Sequence, residues 1–492
     1  MFPVEQGHHS KAVMSEISSS TCSVAGGSGW PARALDRVRR VWNALTSRGD
    51  RAVDGRNAMV AFAVRVASAA ILFVSQVLLA RWMGAAEYGT YVYAWTVVLV
   101  LGGMATVGLN IGALRIVSEL RETSALAELR GFLAASRLLV LAVGCAVAAA
   151  SIYAANIWAG HAGIGHTGTV QPPAAPWSVL AIILLAVPAY AVTDLQDGIS
   201  RGWARITSAL VAPYVLRPLF ILAGLAGMMI AGVRLGAVEA AIAAVAATWA
   251  AWAIQSIVVW RDARRLAGKG PRTYRGGSWL RTTAPLFAMS ICDLAMQNID
   301  VIAISNLSTP AQAGIYFAAA KTMALILFVH YAVGSALANR YSALATRGDK
   351  AGLREAVRDG VRWTFWPSLV LAAVMLGSGP WLLALFGPQF TDGLPVMGIL
   401  AVAILARASI GPAETLLNMT GGQRDCARSL MIAALTNGIG CFVLVPRFGI
   451  LGAAAAVSTA MTLGAFLNWR AVRRNLGIDP GIWASIRETQ PK

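Results

Sequence analysis

Read as hydrophobic and polar positions, the chain resolves into twelve apolar runs separated by polar connections. A bilayer core ~30 Å thick takes roughly 20 apolar residues per helix. Runs of about that length fall at residues 57–80, 90–114, 133–156, 177–200, 206–232, 236–260, 283–307, 313–338, 363–386, 393–417, 429–446 and 449–469. The pattern predicts an all-α integral membrane protein with about twelve transmembrane helices. Composition agrees, since 57% of the 492 residues are hydrophobic and 13% charged, whereas soluble domains carry about 25% charged residues. Mean hydropathy is +0.62.

Basic residues then orient the runs, because cytoplasmic loops carry the excess of Lys and Arg. The N-terminal tail holds eight, from Lys11 to Arg56, while the first, third, fifth, seventh, ninth and eleventh loops share only Arg81, Arg234 and Arg447. The intervening loops hold Arg115, Arg121 and Arg130; Arg201 and Arg205; seven basic residues from Arg261 to Arg281; six from Arg340 to Arg362; and Arg424 with Arg428. This alternation predicts that both termini face the cytoplasm. The net charge of +18 is therefore a topology signal and not a nucleic-acid footprint. Residues 1–56 lack an apolar signal-peptide core and are expected to form a disordered cytoplasmic tail.

The runs also repeat. Gly84-Ala-Ala-Glu-Tyr-Gly89-Thr-Tyr91 after the first run matches Thr309-Pro-Ala-Gln-Ala-Gly314-Ile-Tyr316 after the seventh at an offset of 225, which also carries Arg115 onto Arg340. Leu235-Gly-Ala237 matches Leu451-Gly-Ala453 at an offset of 216. Six runs per repeat is an even number, so the halves are parallel repeats related by an axis along the membrane normal. The expected organisation is a six-helix bundle over 57–260, a basic cytoplasmic linker over 261–282, a second bundle over 283–469 and a tail over 470–492.

The stretch Leu78-Leu-Ala-Arg-Trp-Met-Gly-Ala-Ala-Glu-Tyr-Gly89-Thr-Tyr91 resembles the first-helix exit of polysaccharide transporters, the O-antigen repeat-unit flippases of the multidrug/oligosaccharidyl-lipid/polysaccharide exporter superfamily. Further matches are Ala311-Gln-Ala-Gly-Ile-Tyr-Phe-Ala-Ala-Ala-Lys321, Leu385-Phe-Gly-Pro-Gln-Phe390 and Pro446-Arg-Phe-Gly-Ile-Leu-Gly-Ala-Ala454. The resemblance implies a V-shaped, two-bundle transporter of the bacterial inner membrane working by alternating access. Its implied cargo is an undecaprenyl-pyrophosphate-linked repeat unit of O-antigen, capsule or exopolysaccharide, with a polymerase and glycosyltransferases as pathway partners. An ion-coupled drug/cation antiporter of the same superfamily is the alternative. A polytopic polymerase is a weaker one, because the longest external loop, about 157–176, has no carboxylate and only His161 and His166.

Charges at bilayer depth usually face a bundle interior or a wet cavity. At 1.5 Å rise per residue, Arg217 lies about 16 Å into its run and Arg407 about 21 Å, while Lys321 and Arg65 are about 12 Å in. These four are the candidates to attract an anionic pyrophosphate head group, since a guanidinium fork matches phosphate oxygens. Ser290, Asp293, Gln297 and Asp300 recur at intervals of three and four and share one helix face. Shifted by 225 they fall on Arg65, Ser68, Leu72 and Ser75, so both repeats are expected to turn a polar stripe inward. Asp293 and Asp300 are read equally as coupling groups and as structural counter-ions. Tyr88, Tyr91, Tyr93 and Trp95 are expected in an interfacial aromatic belt. Pro188, Pro213, Pro218, Pro285 and Pro412 are expected to mark kinks. Cys22, Cys145, Cys292, Cys426 and Cys441 are scattered without ligand spacing, so neither a metal site nor any cofactor is expected.

Overall fold

A computed structural model describes residues 50–162, 177–203, 205 and 210–487. The chain divides into units Met1–Val60 and Ala61–Lys492. The described part of the first unit is the opening of α1 (Asp50–Met83), so residues 50–56, expected in the tail, are helical. The rest of the expected tail, residues 1–49, lies outside the described residues.

The chain continues as α2 (Ala85–Ala105), α3 (Leu109–Glu122), α4 (Leu126–Ala162), α5 (Trp177–Leu184), α6 (Val187–Gly202), a π-helical turn (Ala212–Leu216) and α7 (Arg217–Ile230). After α8 (Ala237–Ala267) come α9 (Gly276–Leu307), α10 (Pro310–Ala324), α11 (Leu327–Arg347), α12 (Lys350–Gly377) and α13 (Gly379–Ala384). A 3-10 turn (Pro388–Gly393) leads into α14 (Leu394–Ala408), α15 (Ala413–Met419), α16 (Gln423–Leu476) and α17 (Ile482–Arg487). Among the described residues nine helical stretches are long and apolar enough to cross a membrane, and α5 with α6, bent by 43°, adds a tenth. The protein is a multi-pass, all-α membrane protein.

Several runs predicted as single straight spans are broken. The run at 90–114 divides at Thr106–Gly108, where Val107 and Gly108 have φ of 51° and 73°. No proline signals this break. Its cause is close packing, because a Cβ on Gly108 would lie 2.8–2.9 Å from Phe287 of α9. The run at 393–417 breaks over Ser409–Pro412, where Gly411 has φ 59° and its backbone lies against Val361. The kink expected at Pro188 is the α5/α6 bend, placing the proline in the first turn of α6, where a missing N–H leaves no bond unmade.

Although α16 is 54 residues long, Gly449 within it has φ 56° and ψ −132° and is not helical. In a straight helix Leu444 and Gly452 would be about 12 Å apart, yet a Cβ on Gly452 would clash with the Leu444 carbonyl. Gly440 likewise lies against Ala456. The chain doubles back here, so the runs at 429–446 and 449–469 are two antiparallel helices joined by a very tight turn.

Helix α2 packs most extensively on α10, and α9 on α16. The largest apolar core surrounds the α2/α10 contact, with smaller cores around α3, α4 and α6 and around the start of α12, α15 and the end of α16. The extended connection between α8 and α9 is confined to residues 268–275, where Arg130 holds the Pro271 and Ala267 carbonyls at 2.9 and 2.6 Å.

Candidate functional site

The α2/α10 contact organises the site. Gly89 and Gly314, the matched glycines of the sequence repeat, face one another where the two helices cross. A Cβ on Gly89 would coincide with the Pro310 carbonyl oxygen, and one on Gly314 would lie 2.7 Å from that of Ala85. The helices therefore meet backbone to backbone. Around the crossing Tyr88 lies edge-on to Phe317 and Phe390 at 6.3 and 5.9 Å, and Phe386 joins Phe390 to Phe73 at 5.7 and 5.6 Å. The Tyr88 hydroxyl donates to Gln76 Oε1 at 2.9 Å. Tyr88, Tyr91 and Tyr93 are buried here and do not form a belt. The signal for an interior site was their proximity to Gly89, since a glycine that admits a second backbone also brings its neighbours into the contact.

Cations flank both helices of this pair: Trp95, which carries the Arg217 guanidinium, and Lys321 lie about 9 and 10.5 Å beyond the crossing glycines at 1.5 Å per residue. On the α2 side, Trp95 and Tyr190 meet edge to face at 6.3 Å. The Arg217 guanidinium lies over both rings, 5.1 and 5.5 Å from their centroids. The π-helical turn and Pro218 place Arg217 at the start of α7, and such bulges re-aim side chains. Arg217 lines a cavity of about 40 Å³ with Leu72, Ser75, Gln76 and Tyr91, and its Nη1 has no hydrogen-bond partner among the described residues. Asp194, a nearby carboxylate, accepts from Asn110 Nδ2 at 2.8 Å. On the α10 side, Lys321 Nζ lies 4.9 Å from the Phe317 ring centroid. Its electrostatic partner Asp300 is buried, accepting the Tyr316 hydroxyl at 2.7 Å and the Val301 N–H at 2.8 Å.

The remaining candidates gather elsewhere. Arg407 Nη2 bonds Glu414 Oε2 at 2.7 Å across the α14/α15 break, its Nε has no partner among the described residues, and Asp293 and Tyr331 contribute to its field. Asp293 is exposed and accepts from Gln297 Nε2 at 2.7 Å. His330, absent from the sequence-derived set, lies by the same pair with its Nδ1 unpartnered among the described residues. The expected face of α9 is thus divided, with Asp293 and Gln297 toward the Arg407 group and Asp300 locked between α9 and α10. The Arg65 side chain lies outside the described residues, and of its stripe Leu72 and Ser75 reach the Arg217 cavity. Glu414 and the Trp95/Tyr190 corner are further residues that the sequence pattern did not assign to the site. Among the described residues no His, Cys, Asp and Glu group could hold a metal ion.

A family model described as polysaccharide biosynthesis protein matches residues 55–338, more than half of the chain. The chain belongs to this family. No curated protein matches this polysaccharide biosynthesis protein in sequence. Its fold is similar to that of an inward-facing multidrug resistance MATE family transporter of the MOP superfamily, with a TM-score of 0.63 at 12% identity over 87% of this chain and 100% of that one. It is similar as well to the lipid II flippase MurJ in an inward closed conformation, with a TM-score of 0.63 at 12% identity over 84% and 87% of the two chains. A MOP superfamily transporter from Pyrococcus furiosus, whose binding pocket is described as reversed in polarity, gives 0.57 at 14% identity over 85% and 94%. The polysaccharide biosynthesis family member described here therefore has the MOP transporter fold.

Proposed function

We propose that this protein is a flippase that carries undecaprenyl-pyrophosphate-linked oligosaccharide repeat units from the cytoplasmic to the periplasmic face of a bacterial inner membrane by alternating access. The observation that carries this reading is Arg217, a membrane-embedded guanidinium lying on two aromatic faces, with an unpartnered N–H beside a cavity. A planar fork with open donors suits a pyrophosphate better than an organic cation. The polysaccharide biosynthesis family and the fold shared with a lipid II flippase support the substrate class. Lys321 supplies a second positive charge across the α2/α10 pair, Arg65 and Arg407 complete the basic set, and Asp293, Gln297 and Asp300 line or brace the path. The glycan belongs to O-antigen, capsule or exopolysaccharide, with a polymerase and glycosyltransferases acting on either side of the flipping step.

The reading takes twelve spans in two parallel repeats, 57–260 and 283–469, joined by a basic linker over 261–282. The ten stretches above become twelve when the shorter apolar helix Ala67–Met83 is counted and α16 is divided at Gly449. With both termini in the cytoplasm, the Gly89–Gly314 crossing closes the periplasmic end and the cations are approached from the cytoplasm. Reporter fusions near residues 165 and 390 are expected to report periplasm and those near 270 and 350 cytoplasm; a periplasmic signal at 270 rejects the topology.

Deleting the protein is expected to stop surface glycan assembly while lipid-linked repeat units accumulate on the cytoplasmic face. Extraction and mass analysis of the lipid-linked pool checks this. Normal glycan without accumulation rejects the cargo, and drug sensitivity without a glycan defect identifies an antiporter.

A further inference from the structure

Arg354 and Arg358 stand one turn apart on α12, about 6 Å along its axis, and line a cavity of about 280 Å³. The facing wall is the segment after α16, which contributes Asp479, Gly481 and Ala484. This wall is fixed in place. Ile478 and Ile482 are buried in one apolar core with Leu353, Val357 and Val361, and the Ile482 N–H donates to the Ser409 carbonyl at 2.9 Å. Asp479 Oδ1 accepts from Trp469 Nε1 and from the Gly481 N–H, both at 2.9 Å, so its carboxylate is committed to holding the turn. Among the described residues the lining thus carries two guanidiniums and one carboxylate.

Large exposed aromatics fix the level of the cavity. Trp363 and Trp366, one to two turns beyond Arg358, are 65% and 50% exposed, and Trp483 on the opposite wall is 75% exposed. Exposed tryptophans beside arginines, at the start of an apolar helix, mark the headgroup level of a bilayer. A volume of 280 Å³ lies just under the ~300 Å³ lower end of small-molecule sites. It admits a phosphate with a small polar substituent and excludes an oligosaccharide.

We propose that this cleft is a binding site for a phosphate ester at the membrane surface, with the headgroup of an anionic phospholipid as its ligand. Basic pockets between transmembrane helices bind such headgroups, with guanidinium forks on the phosphate oxygens. The site is separate from the flipping path, and its lining residue Val361 touches Gly411 in the turn that follows Arg407.

The test is native mass spectrometry of the full chain in detergent, titrated with phosphatidylglycerol, phosphatidylcholine and soluble glycerol phosphate. Phosphatidylglycerol is expected to be retained in preference to phosphatidylcholine. Arg354→Gln with Arg358→Gln should raise the half-saturating concentration about tenfold or more, the range for losing charge-assisted hydrogen bonds. Ala484→Leu, which fills the cavity without changing charge, should do the same and decides the matter if the double variant fails to fold. Arg347→Gln, at the end of α11 and outside the cavity, should leave retention unchanged. Retention of glycerol phosphate but not of phosphatidylglycerol, lost in the same variants, upholds the phosphate chemistry and assigns the ligand to a soluble source. Equal retention of both lipids with no glycerol phosphate binding overturns the proposal, as does an equal loss in Arg347→Gln.

Discussion

Arg217→Ala is expected to abolish flipping while the protein accumulates in the membrane at its normal level. The side chain rests on Trp95 and Tyr190 with no hydrogen-bond partner at Nη1, so its removal forfeits cation–π contacts of about 0.5–2 kcal/mol. Breaking a buried ion pair would instead strand a charge at about 3–5 kcal/mol, enough to deplete a protein of ordinary stability. Asp194 would be the stranded group, and it already has Asn110 as a donor. Arg217→Lys should keep the charge but lose the fork, leaving activity roughly ten- to hundredfold down, the equivalent of one strong charge-assisted hydrogen bond. Flipping assays and quantitative membrane blots on both variants separate the two roles. A poorly expressed Arg217→Ala that is rescued by Asp194→Asn would make Arg217 a structural counter-ion.

The second large effect is expected at Gly89. An added methyl there meets the Pro310 carbonyl and the Gly314 N–H region, both backbone, so no side-chain rotation can relieve the clash. The two helices must separate, opening the aromatic closure around Tyr88 and Phe390. Gly89→Ala should therefore destabilise by about 1–3 kcal/mol, the range for overpacking a tight interior. Gly227→Ala in α7 is the matched control, because a Cβ there has nothing within 4 Å. It should be neutral or stabilising by up to about 1 kcal/mol through the restricted unfolded chain. Thermal unfolding in detergent is expected to lower the midpoint of Gly89→Ala and to leave that of Gly227→Ala unchanged or raised. A Gly89→Ala protein that melts with the wild type would show that the crossing yields freely and is not a seal.

Much of this arrangement was legible in the chain because membrane folding obeys few rules. Apolar length sets the helices, and the repeat offset of 225 pairs Gly89 with Gly314 before any contact is known. What the offset could not supply was that the two glycines touch one another, since sequence similarity reports equivalence and not contact. The break at Val107–Gly108 was hidden for a related reason. Gly108 packs against Phe287, which is far away in the chain, and a lone glycine at 108 does not by itself distinguish a break from a glycine tolerated within a helix. Charges stand out within the apolar runs but cannot be paired from them: Arg407 with Glu414 spans a helix break that a continuous run conceals, and nothing in the run at 206–232 points to the Trp95 and Tyr190 faces under Arg217. Trp95 and the tyrosines were misread as a belt because aromatic residues near a helix end have the same sequence signature whether they face lipid or a second helix.

The turn at Gly449 bears on how the protein is made. Between the two arms of α16 only Pro446, Arg447 and Phe448 precede the single non-helical residue, so there is almost no hydrophilic stretch to be threaded across the bilayer between them. On the twelve-span reading the two arms have no loop between them to translocate, so they are expected to insert as one hairpin, a single unit of biogenesis.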